Sequence, residues 1–257
     1  MSHIASIFAQ AKHTALIPYI TIGYPTIETT LKVVPLFAST GCDIIELGIP
    51  FSDPLADGAT IQRASYEALK QGVTPRVCFE VAQELRRRVE IPLVFMTYYN
   101  PVLKFGLEQF CSKCAEVGID GLIIPDLPPE EGKELEKSTK RHGLDLIYLL
   151  SPASTEERIN LVASRSSGFI YLVSLTGVTG ARDKLPEELE SFVASVRKRT
   201  EKPLCVGFGI STPEQARRVA RVADGVIVGS RIIQLLDEDK SLRNAQSFVK
   251  SLREALL

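Results

Sequence analysis

The sequence predicts an α/β fold arranged as one (β/α)8 barrel, and three observations support that prediction. Eight short apolar runs alternate with longer amphipathic runs along the 257 residues. Several of these runs lack polar alternation, which is typical of parallel strands buried on both faces. The turn after the first run, TIGYPTIETT, lacks the Gly-x-Gly-x-x-Gly motif of an open, doubly wound sheet. Eight strand–helix repeats over about 250 residues therefore favour the barrel.

The predicted elements follow one another in regular order. The strands are Leu16–Ile22, Asp43–Leu47, Pro92–Met96, Gly121–Ile124, Asp145–Leu149, Gly168–Val173, Pro203–Phe208 and Gly225–Val228. The helices between them are Thr29–Ser39, Thr60–Leu69, Pro75–Val89, Leu107–Val117, Glu130–His142, Thr155–Ser164, Pro186–Arg199 and Pro213–Ala220. The helices after the last strand are Arg231–Leu236 and Leu242–Ala255. We therefore expect one extra helix after strand eight, and a further extra helix before strand one.

Glycine and aspartate mark the returns from helix to strand. The segments Gly41–Asp43, Gly118–Asp120 and Asp224–Gly225 each stand directly before a predicted strand. Glycine adopts the left-handed conformation that commonly ends a helix. These residues lie at the amino-terminal end of the barrel, whereas the chemistry of such barrels lies where the strands end.

Composition excludes several classes of protein. The chain has 30 Lys and Arg residues against 31 Asp and Glu residues, a formal net charge of −1. Such a charge gives no strong attraction to nucleic acid or to an anionic membrane. No run of 18 apolar residues suggests a membrane span, and the amino terminus does not resemble a signal peptide. With no linker-like stretch, we expect a single domain over residues 1–257.

The cysteines indicate a reducing compartment. Their positions are 42, 78, 111, 114 and 205, an odd number that does not suggest a disulfide framework. Cys111 and Cys114 form a Cys-x-x-Cys pattern, but they lie on a predicted amphipathic helix with no second pair nearby. We interpret them as incidental helix cysteines and expect a cytoplasmic protein.

The end of the second strand carries the first candidate for catalysis. Glu46 stands inside the apolar run 44–49, where a carboxylate is costly to bury without a role or a partner. Strand alternation places it on the opposite side from Ile45 and Leu47, so it can face the barrel mouth. A desolvated Glu would have a raised pKa, which suits acid–base catalysis near neutral pH. A structural Glu paired with a basic residue is the alternative.

Two aspartates follow on the loop PFSDPLADG. Asp53 and Asp57 are both candidates for a second carboxylate over the barrel mouth. Either one could instead cap a helix or belong to an interface. Spacing alone does not choose between them.

The second half of the chain suggests a phosphate site. Glycines follow three consecutive strands, in SLTGVTGAR (174–182), VGFGIS (206–211) and VGS (228–230). Exposed backbone N–H groups and the start of a helix near Ser230 would attract an anion. Phosphate sites after strands seven and eight recur in this fold.

Absent residue types narrow the chemistry. His3, His13 and His142 lie outside the strand ends, which disfavours a histidine metal centre. No predicted strand ends in Lys, which disfavours a Schiff-base aldolase, and Lys104 lies further along a predicted loop. There remains cofactor-free carboxylate catalysis on a small phosphorylated substrate. Apolar residues near the strand ends suggest that the rest of the substrate is apolar or aromatic. These residues are Tyr19, Ile22, Met96 and Phe208.

The motifs together resemble a known family. The segment IELGIPFSDPLADGATIQRA (45–64) is similar to the signature of the tryptophan synthase α subunits. The resemblance continues through MTYYNPV (96–102), DGLIIPDLPPEE (120–131), YLVSLTGVTGAR (171–182), VGFGIS (206–211) and DGVIVGS (224–230). It covers essentially the whole chain in the right order.

The resemblance implies a fold and a reaction. The family is a (β/α)8 barrel that cleaves indole-3-glycerol phosphate into indole and glyceraldehyde 3-phosphate. By this resemblance Glu46 is the general acid/base, Asp57 binds the indole N–H, and Tyr171 lies beside the catalytic Glu. The implied phosphate residues are Gly180, Gly209, Gly229 and Ser230. The implied substrate-pocket residues are Tyr19, Ile61, Thr179 and Phe208.

The resemblance also implies a partner. The family's α subunit docks on a β subunit in an αββα complex, and indole passes between the two sites. Pyridoxal phosphate belongs to that partner, so we expect no cofactor and no metal on this chain. The implied interface residues are Pro50, Asp53, Pro54, Asn100 and Pro101.

Two other functions stay open at this point. The chain could be a different phosphate-binding barrel enzyme, such as an epimerase or isomerase, although its histidine positions speak against that. It could also act mainly as an allosteric activator of the β subunit, with little turnover of its own.

Overall fold

The computed structural model describes residues 1–173, 188–207 and 209–257. Within these ranges the strands are β1 (Ala15–Thr21), β2 (Ile45–Gly48), β3 (Leu93–Met96), β4 (Gly121–Ile123), β5 (Asp145–Ile147), β6 (Leu149–Leu150), β7 (Ile170–Val173), β8 (Leu204–Gly207) and β9 (Gly225–Val228). They form one parallel sheet in the order β5-β4-β3-β2-β1-β9-β8-β7-β6. Parallel pairing throughout agrees with the apolar runs of the sequence.

The sheet is closed into a barrel, since its two end strands are consecutive pieces of one segment. Strands β5 and β6 are separated only by Tyr148, and together they correspond to the fifth predicted strand. The Tyr148 N–H donates to the Ser166 hydroxyl at 3.1 Å instead of joining a ladder, while its carbonyl accepts from the Tyr171 N–H at 3.1 Å. The predicted (β/α)8 barrel is therefore confirmed, with its fifth strand interrupted at one residue.

Twelve α-helices surround the sheet in the described ranges. They are α1 (His3–Gln10), α2 (Ile27–Ser39), α3 (Ala59–Lys70), α4 (Pro75–Arg86), α5 (Tyr99–Phe105), α6 (Leu107–Glu116), α7 (Lys133–Arg141), α8 (Glu156–Arg165), α9 (Leu189–Arg197), α10 (Pro213–Ala220), α11 (Ser230–Glu238) and α12 (Arg243–Ala255). A short 3₁₀ helix, Pro129–Glu131, precedes α7. Helices α1 and α12 are the two extra helices that the sequence predicts.

One predicted loop is wrong. Residues 99–105, which carry Lys104, form helix α5. Pro101 occupies its first turn, where the missing N–H breaks no helical hydrogen bond. The asparagine–proline pair therefore begins a short helix instead of preventing one.

Helix α1 closes the amino-terminal end of the barrel. Its Ile4 is fully buried, and it packs into a cluster of residues that lie in the strands or directly before them. These residues are Ile17, Ile44, Val94, Ile123, Ile147, Phe169, Cys205 and Ile227. Because this interior is a packed core and not a pore, the accessible end of the barrel is the carboxyl end of the strands.

The cysteines lie in the core. All five are free thiols and are buried. Burial raises the pKa of the Cys111 and Cys114 thiols, which holds both in the unreactive protonated form. This environment agrees with the interpretation of the Cys-x-x-Cys pattern as incidental.

None of the helices in the described part of the chain has the length and apolar character needed to cross a membrane.

Candidate active site

A cavity of about 590 Å³ opens at the carboxyl ends of the strands. The predicted catalytic residues Glu46, Asp57 and Tyr171 all line it. Its wall also includes Tyr19, Ile61, Met96, Ile123, Pro125, Leu149, Val173, Gly207, Gly209, Ile227, Gly229 and Ser230. A cavity of this size with a few polar groups in an apolar lining is typical of a site for a small molecule.

Glu46 projects from β2 into this cavity. It pairs in register with Tyr19 of β1 and Val94 of β3 and is 0% exposed. Neither carboxylate oxygen has a hydrogen-bond partner among the described residues. Burial and, to a lesser degree, the charge of Asp57 raise the pKa of Glu46 from 4.5 to about 8. At pH 7 Glu46 is therefore mostly a neutral acid that can give up a proton.

Asp57 lies at the end of the β2–α3 loop, directly before the α3 N-cap Gly58. The backbone around it is fixed, because Gln62 Nε2 donates to the Asp57 carbonyl at 2.9 Å and Asp57 N donates to the Pro54 carbonyl at 3.0 Å. Burial raises the pKa of Asp57 to about 6, and a hydrogen bond from Tyr98 opposes that rise. Asp57 is thus mostly ionised at neutral pH while Glu46 is mostly protonated.

The structure separates the two aspartates that spacing alone left equivalent and that the family resemblance assigned to different roles. Asp57 is buried in the cavity wall, whereas Asp53 is exposed and accepts a hydrogen bond from the Ser52 hydroxyl. The carboxyl pair of the cavity is therefore Glu46 with Asp57.

Each of two tyrosines lies against the glycine that ends the strand beside its own. A Cβ on Gly48 would lie 2.1 Å from the Tyr19 hydroxyl oxygen, and one on Gly207 would lie 2.7 Å from the Tyr171 hydroxyl oxygen. The Tyr19 hydroxyl also lies 3.1 Å from Thr21 Oγ1. Burial, reinforced by the nearby carboxylates, raises the pKa of both tyrosines well above 10, so both stay neutral. Sequence reasoning did not assign Gly48 and Gly207 this role, although both follow apolar runs.

Those predicted phosphate residues that the structure describes line the cavity. Gly209, Gly229 and Ser230 line it, and Gly229 is the N-cap of α11. The helix therefore directs its unpaired N–H groups and positive dipole end toward this side of the cavity. Gly180, Thr179 and Phe208, which the sequence also assigned to the site, lie outside the described residues.

Four of the five predicted interface residues reach the surface at one rim, whereas Pro50 is buried. Phe51 stacks on Tyr98 with a centroid distance of 5.2 Å, which places the loop containing Pro50, Asp53 and Pro54 beside α5. Asn100 is exposed and Pro101 half-buried in the first turn of α5. Sequence reasoning missed two exposed leucines on the same loop and helix, because periodicity does not show which apolar side chains stay exposed. Leu55 is 88% exposed and Leu103 is 54% exposed.

Sequence reasoning also missed a polar stretch of the cavity wall after β6. Ser151, Ser154, Thr155 and Arg158 line the cavity there. Thr155 caps α8 by accepting from Arg158 N at 3.3 Å, and the Arg158 guanidinium pairs with Glu130 at 3.1 Å. The Ser-Pro-Ala-Ser-Thr sequence after a predicted strand was the available indication.

No group of three or more potential metal ligands occurs in the described ranges.

The fold and the site together define a class of protein. It is a (β/α)8-barrel enzyme whose cavity holds two buried carboxyl groups of different pKa and the N-terminus of a helix. The family model "Tryptophan synthase alpha chain" matches residues 6–256. The chain belongs to the tryptophan synthase alpha chain family.

Individual relatives agree with that family. The tryptophan synthase alpha chain of Dehalococcoides mccartyi is 58% identical, with 100% of each chain covered. A solved structure of Mycobacterium tuberculosis tryptophan synthase matches with a TM-score of 0.94 and 36% identity, covering 99% of this chain and 98% of that chain. An aminoacrylate-bound form of the same organism's tryptophan synthase matches with a TM-score of 0.91 and 33% identity, covering 100% of each chain.

Proposed function

We propose that this chain is a carbon–carbon lyase of tryptophan biosynthesis. It cleaves indole-3-glycerol phosphate into indole and glyceraldehyde 3-phosphate, using one barrel domain over residues 1–257. The observation that carries the proposal is the carboxyl pair: Glu46 is fully buried with no hydrogen-bond partner among the described residues, and it faces Asp57 in the cavity. Family membership supports the same reaction.

The two carboxyl groups divide the chemistry because their pKa values differ. Protonated Glu46 delivers its proton to C3 of the indole ring, and ionised Asp57 accepts a hydrogen bond from the ring N–H as positive charge grows there. The carboxylate formed on Glu46 then takes the proton of the adjacent side-chain hydroxyl. The C–C bond breaks, its electron pair returns to the ring to give indole, and the carbonyl of glyceraldehyde 3-phosphate forms. The proton count is balanced, and Glu46 ends the reaction protonated.

The remaining site residues bind and orient the substrate. We assign Tyr19, Ile61, Thr179 and Phe208 to the indole pocket and Tyr171 to the side of Glu46. Gly209, Gly229 and Ser230, with Gly180, would hold the phosphate through backbone N–H groups. Support for the phosphate assignment is the N-terminus of α11, which begins at Ser230 in the cavity wall.

We further propose that the chain works with a β subunit in an αββα complex in the cytoplasm. Pyridoxal phosphate would belong to that partner, with no cofactor on this chain. The similarity to solved tryptophan synthases, one of them in an aminoacrylate-bound form, supports a partner of this kind. The rim formed by the loop 50–54 and by Asn100 and Pro101 is the proposed contact. Five buried free cysteines suit a reducing compartment.

The test is indole release from indole-3-glycerol phosphate by wild type and by Glu46→Gln, each alone and with a cognate β subunit. Glu46→Gln should lower kcat by about 10²–10⁴, because a positioned acid–base group is lost. Asp145→Asn is the matched control, since Asp145 is another buried carboxyl group and lies at the opposite end of the barrel. Equal indole release by Glu46→Gln and wild type would refute the proposed role of Glu46. No release by wild type under either condition would refute the lyase itself.

A further inference from the structure

We propose that Asp237 is a positioning residue of the active site. Its carboxylate clamps α3, the helix that follows Asp57, to α11, the helix that begins at Ser230. The inference rests on the proposed function, because it concerns how the two ends of one substrate are held at a fixed separation.

The clamp joins three elements through one side chain. Asp237 lies near the carboxyl end of α11, and its Oδ1 accepts from the hydroxyl of Tyr24, in the turn between β1 and α2. Its Oδ2 pairs with the guanidinium of Arg63 on α3. The Arg63 guanidinium also lies over the Tyr24 ring, 5.7 Å from its centroid. Both oxygens of one carboxylate are therefore occupied by groups from two other elements.

The clamp covers a small apolar cluster that forms part of the cavity wall. The cluster is separate from the main core and consists of Tyr19, Tyr24, Ile61, Ala64 and Ile233. Tyr19 and Ile61 belong to the cavity wall as well. Movement of α3 relative to α11 would therefore move residues that touch the substrate.

The same two helices carry the two ends of the proposed site. Asp57 stands two residues before α3, and Gln62 of α3 holds its carbonyl at 2.9 Å. Ser230 is the first residue of α11. A substrate with an indole ring and a phosphate must reach both ends at once, so the separation of α3 and α11 sets how well one molecule fits. A displacement near 1 Å is enough to cost about 10² in rate.

The exposure of the groups argues for a geometric role over a large contribution to folding. The Arg63 and Asp237 side chains are 52% and 30% exposed, and ion pairs so exposed contribute little to stability. Tyr24 is buried, and burial together with Asp237 raises its pKa to about 12, so its hydroxyl remains a donor. An Asn at position 237 could still accept from Tyr24 while losing the charge that holds Arg63.

The test compares Asp237→Asn with Glu238→Gln. Glu238 pairs with Arg231 at 3.1 Å within α11 itself, so Glu238→Gln removes an ion pair from the same helix without releasing α3. For Asp237→Asn we expect kcat/KM on indole-3-glycerol phosphate to fall about tenfold to hundredfold, with a higher KM. Inhibition constants for glycerol 3-phosphate and for indole should each stay within twofold of wild type, because each fragment touches one end only.

Two results would overturn the clamp. One is a KM for Asp237→Asn equal to that of wild type, with any fall in kcat explained by loss of folded enzyme. The other is a rise in the fragment inhibition constants as large as the rise in KM, which would indicate general damage to the cavity. Asp237→Glu, which retains the charge, should recover part of the lost kcat/KM.

Hydrogen exchange provides a measurement that does not depend on turnover. In Asp237→Asn the amides of α3 should exchange faster than in wild type, whereas Glu238→Gln should leave them unchanged. Unchanged exchange in α3 of Asp237→Asn would refute the clamp even if the enzyme is active. An inactive wild type would refute the proposed function, and the exchange of α3 would still decide whether Asp237 holds the helix.

Discussion

Glu46 and Asp57 acquire different protonation states from their surroundings. Both are buried carboxyl groups, yet Glu46 has no hydrogen-bond partner in the described part of the chain, while Tyr98 donates to Asp57. Burial therefore raises the pKa of Glu46 to about 8 but that of Asp57 only to about 6. Between these values one group is an acid and the other a carboxylate, which is the division that the proposed proton transfers require.

A bell-shaped pH profile follows from this division. We expect kcat/KM to fall below about pH 6 as Asp57 becomes protonated, and above about pH 8 as Glu46 loses its proton. The measurement is kcat/KM for indole release over a pH range that extends at least about 1 unit beyond each limb. The alkaline limb reports loss of the acid that protonates the ring.

The Tyr98→Phe variant distinguishes titration of Asp57 from titration of the substrate phosphate as the cause of the acid limb. The distinction is needed because the second pKa of the phosphate is also about 6. The Tyr98 hydrogen bond lowers the pKa of Asp57, so its removal should move the acid limb to higher pH. The alkaline limb should stay within a few tenths of a unit, as Tyr98 is not among the groups that shift Glu46. An acid limb that stays in place in Tyr98→Phe would assign it to the phosphate and contradict the role of Asp57.

The residue pattern made Glu46 recognisable but did not choose its partner, which only the family resemblance assigned to Asp57. A Glu inside an apolar strand is a local conflict, and such conflicts mark functional sites. Asp53 and Asp57 stand on one loop with similar neighbours, and contacts to Gln62 and Tyr98 decide which of them enters the cavity. The contact to Tyr98 joins residues 42 positions apart, and a contact over that separation leaves no periodic pattern in the chain.

The strands and helices were predictable where periodicity was strong. The parallel order and both extra helices follow from apolar runs and chain length, whereas the break at Tyr148 depends on the Ser166 hydroxyl, which belongs to another element. Helix α5 was missed because Pro101 reads as a turn residue, although the first helical turn tolerates proline. The break lies within the predicted strand Asp145–Leu149, and α5 is a whole helix of 7 residues, so neither error concerns only the end of an element.

The end of β2 offers a test of how the strands shape the cavity. In Gly48→Ala the new Cβ would lie 2.1 Å from the Tyr19 hydroxyl oxygen and 2.6 Å from its Cζ, so the ring must move. Overpacking of this kind costs about 1–3 kcal/mol of stability, and the displaced Tyr19 should disturb the pocket. We expect kcat/KM to fall at least about tenfold, a loss typical of misplaced substrate-positioning groups. The measurements are thermal unfolding and steady-state kinetics.

Gly72→Ala is the matched control for this substitution. Gly72 has a φ of +80°, and no atom lies within 4 Å of the position that a Cβ would take, so the change adds backbone strain without a clash. It should destabilise the protein by roughly 1–2 kcal/mol and leave kinetics near wild type. If both variants lose stability and activity alike, the glycine at the end of β2 has no special relation to the site.

The barrel as a whole places the chemistry beside the rim proposed for the partner. Helix α1 closes one end, the cavity opens at the other, and the stacked Phe51 and Tyr98 join the two parts of that rim, the loop that carries Asp57 and the start of α5. The Tyr98 hydroxyl accepts from Ala56 N at 2.9 Å, directly before Asp57. A subunit that binds this rim could therefore act on Asp57 through two short contacts.

Leu55 provides the sharpest test of that arrangement. It is 88% exposed on the loop between Phe51 and Asp57, and a large exposed apolar side chain is the type that a partner covers. Leu55→Asp should raise the concentration of β subunit needed for half-maximal stimulation of indole release by at least about tenfold, since the loss of one buried apolar contact costs about 1.4 kcal/mol or more. Leu257→Asp, which alters an 83% exposed leucine at the carboxyl terminus, is the control and should remain within twofold of wild type. Equal stimulation of both variants would place the partner on another surface. If Leu55→Asp binds the β subunit normally but is no longer stimulated, the rim transmits the activation without supplying the affinity.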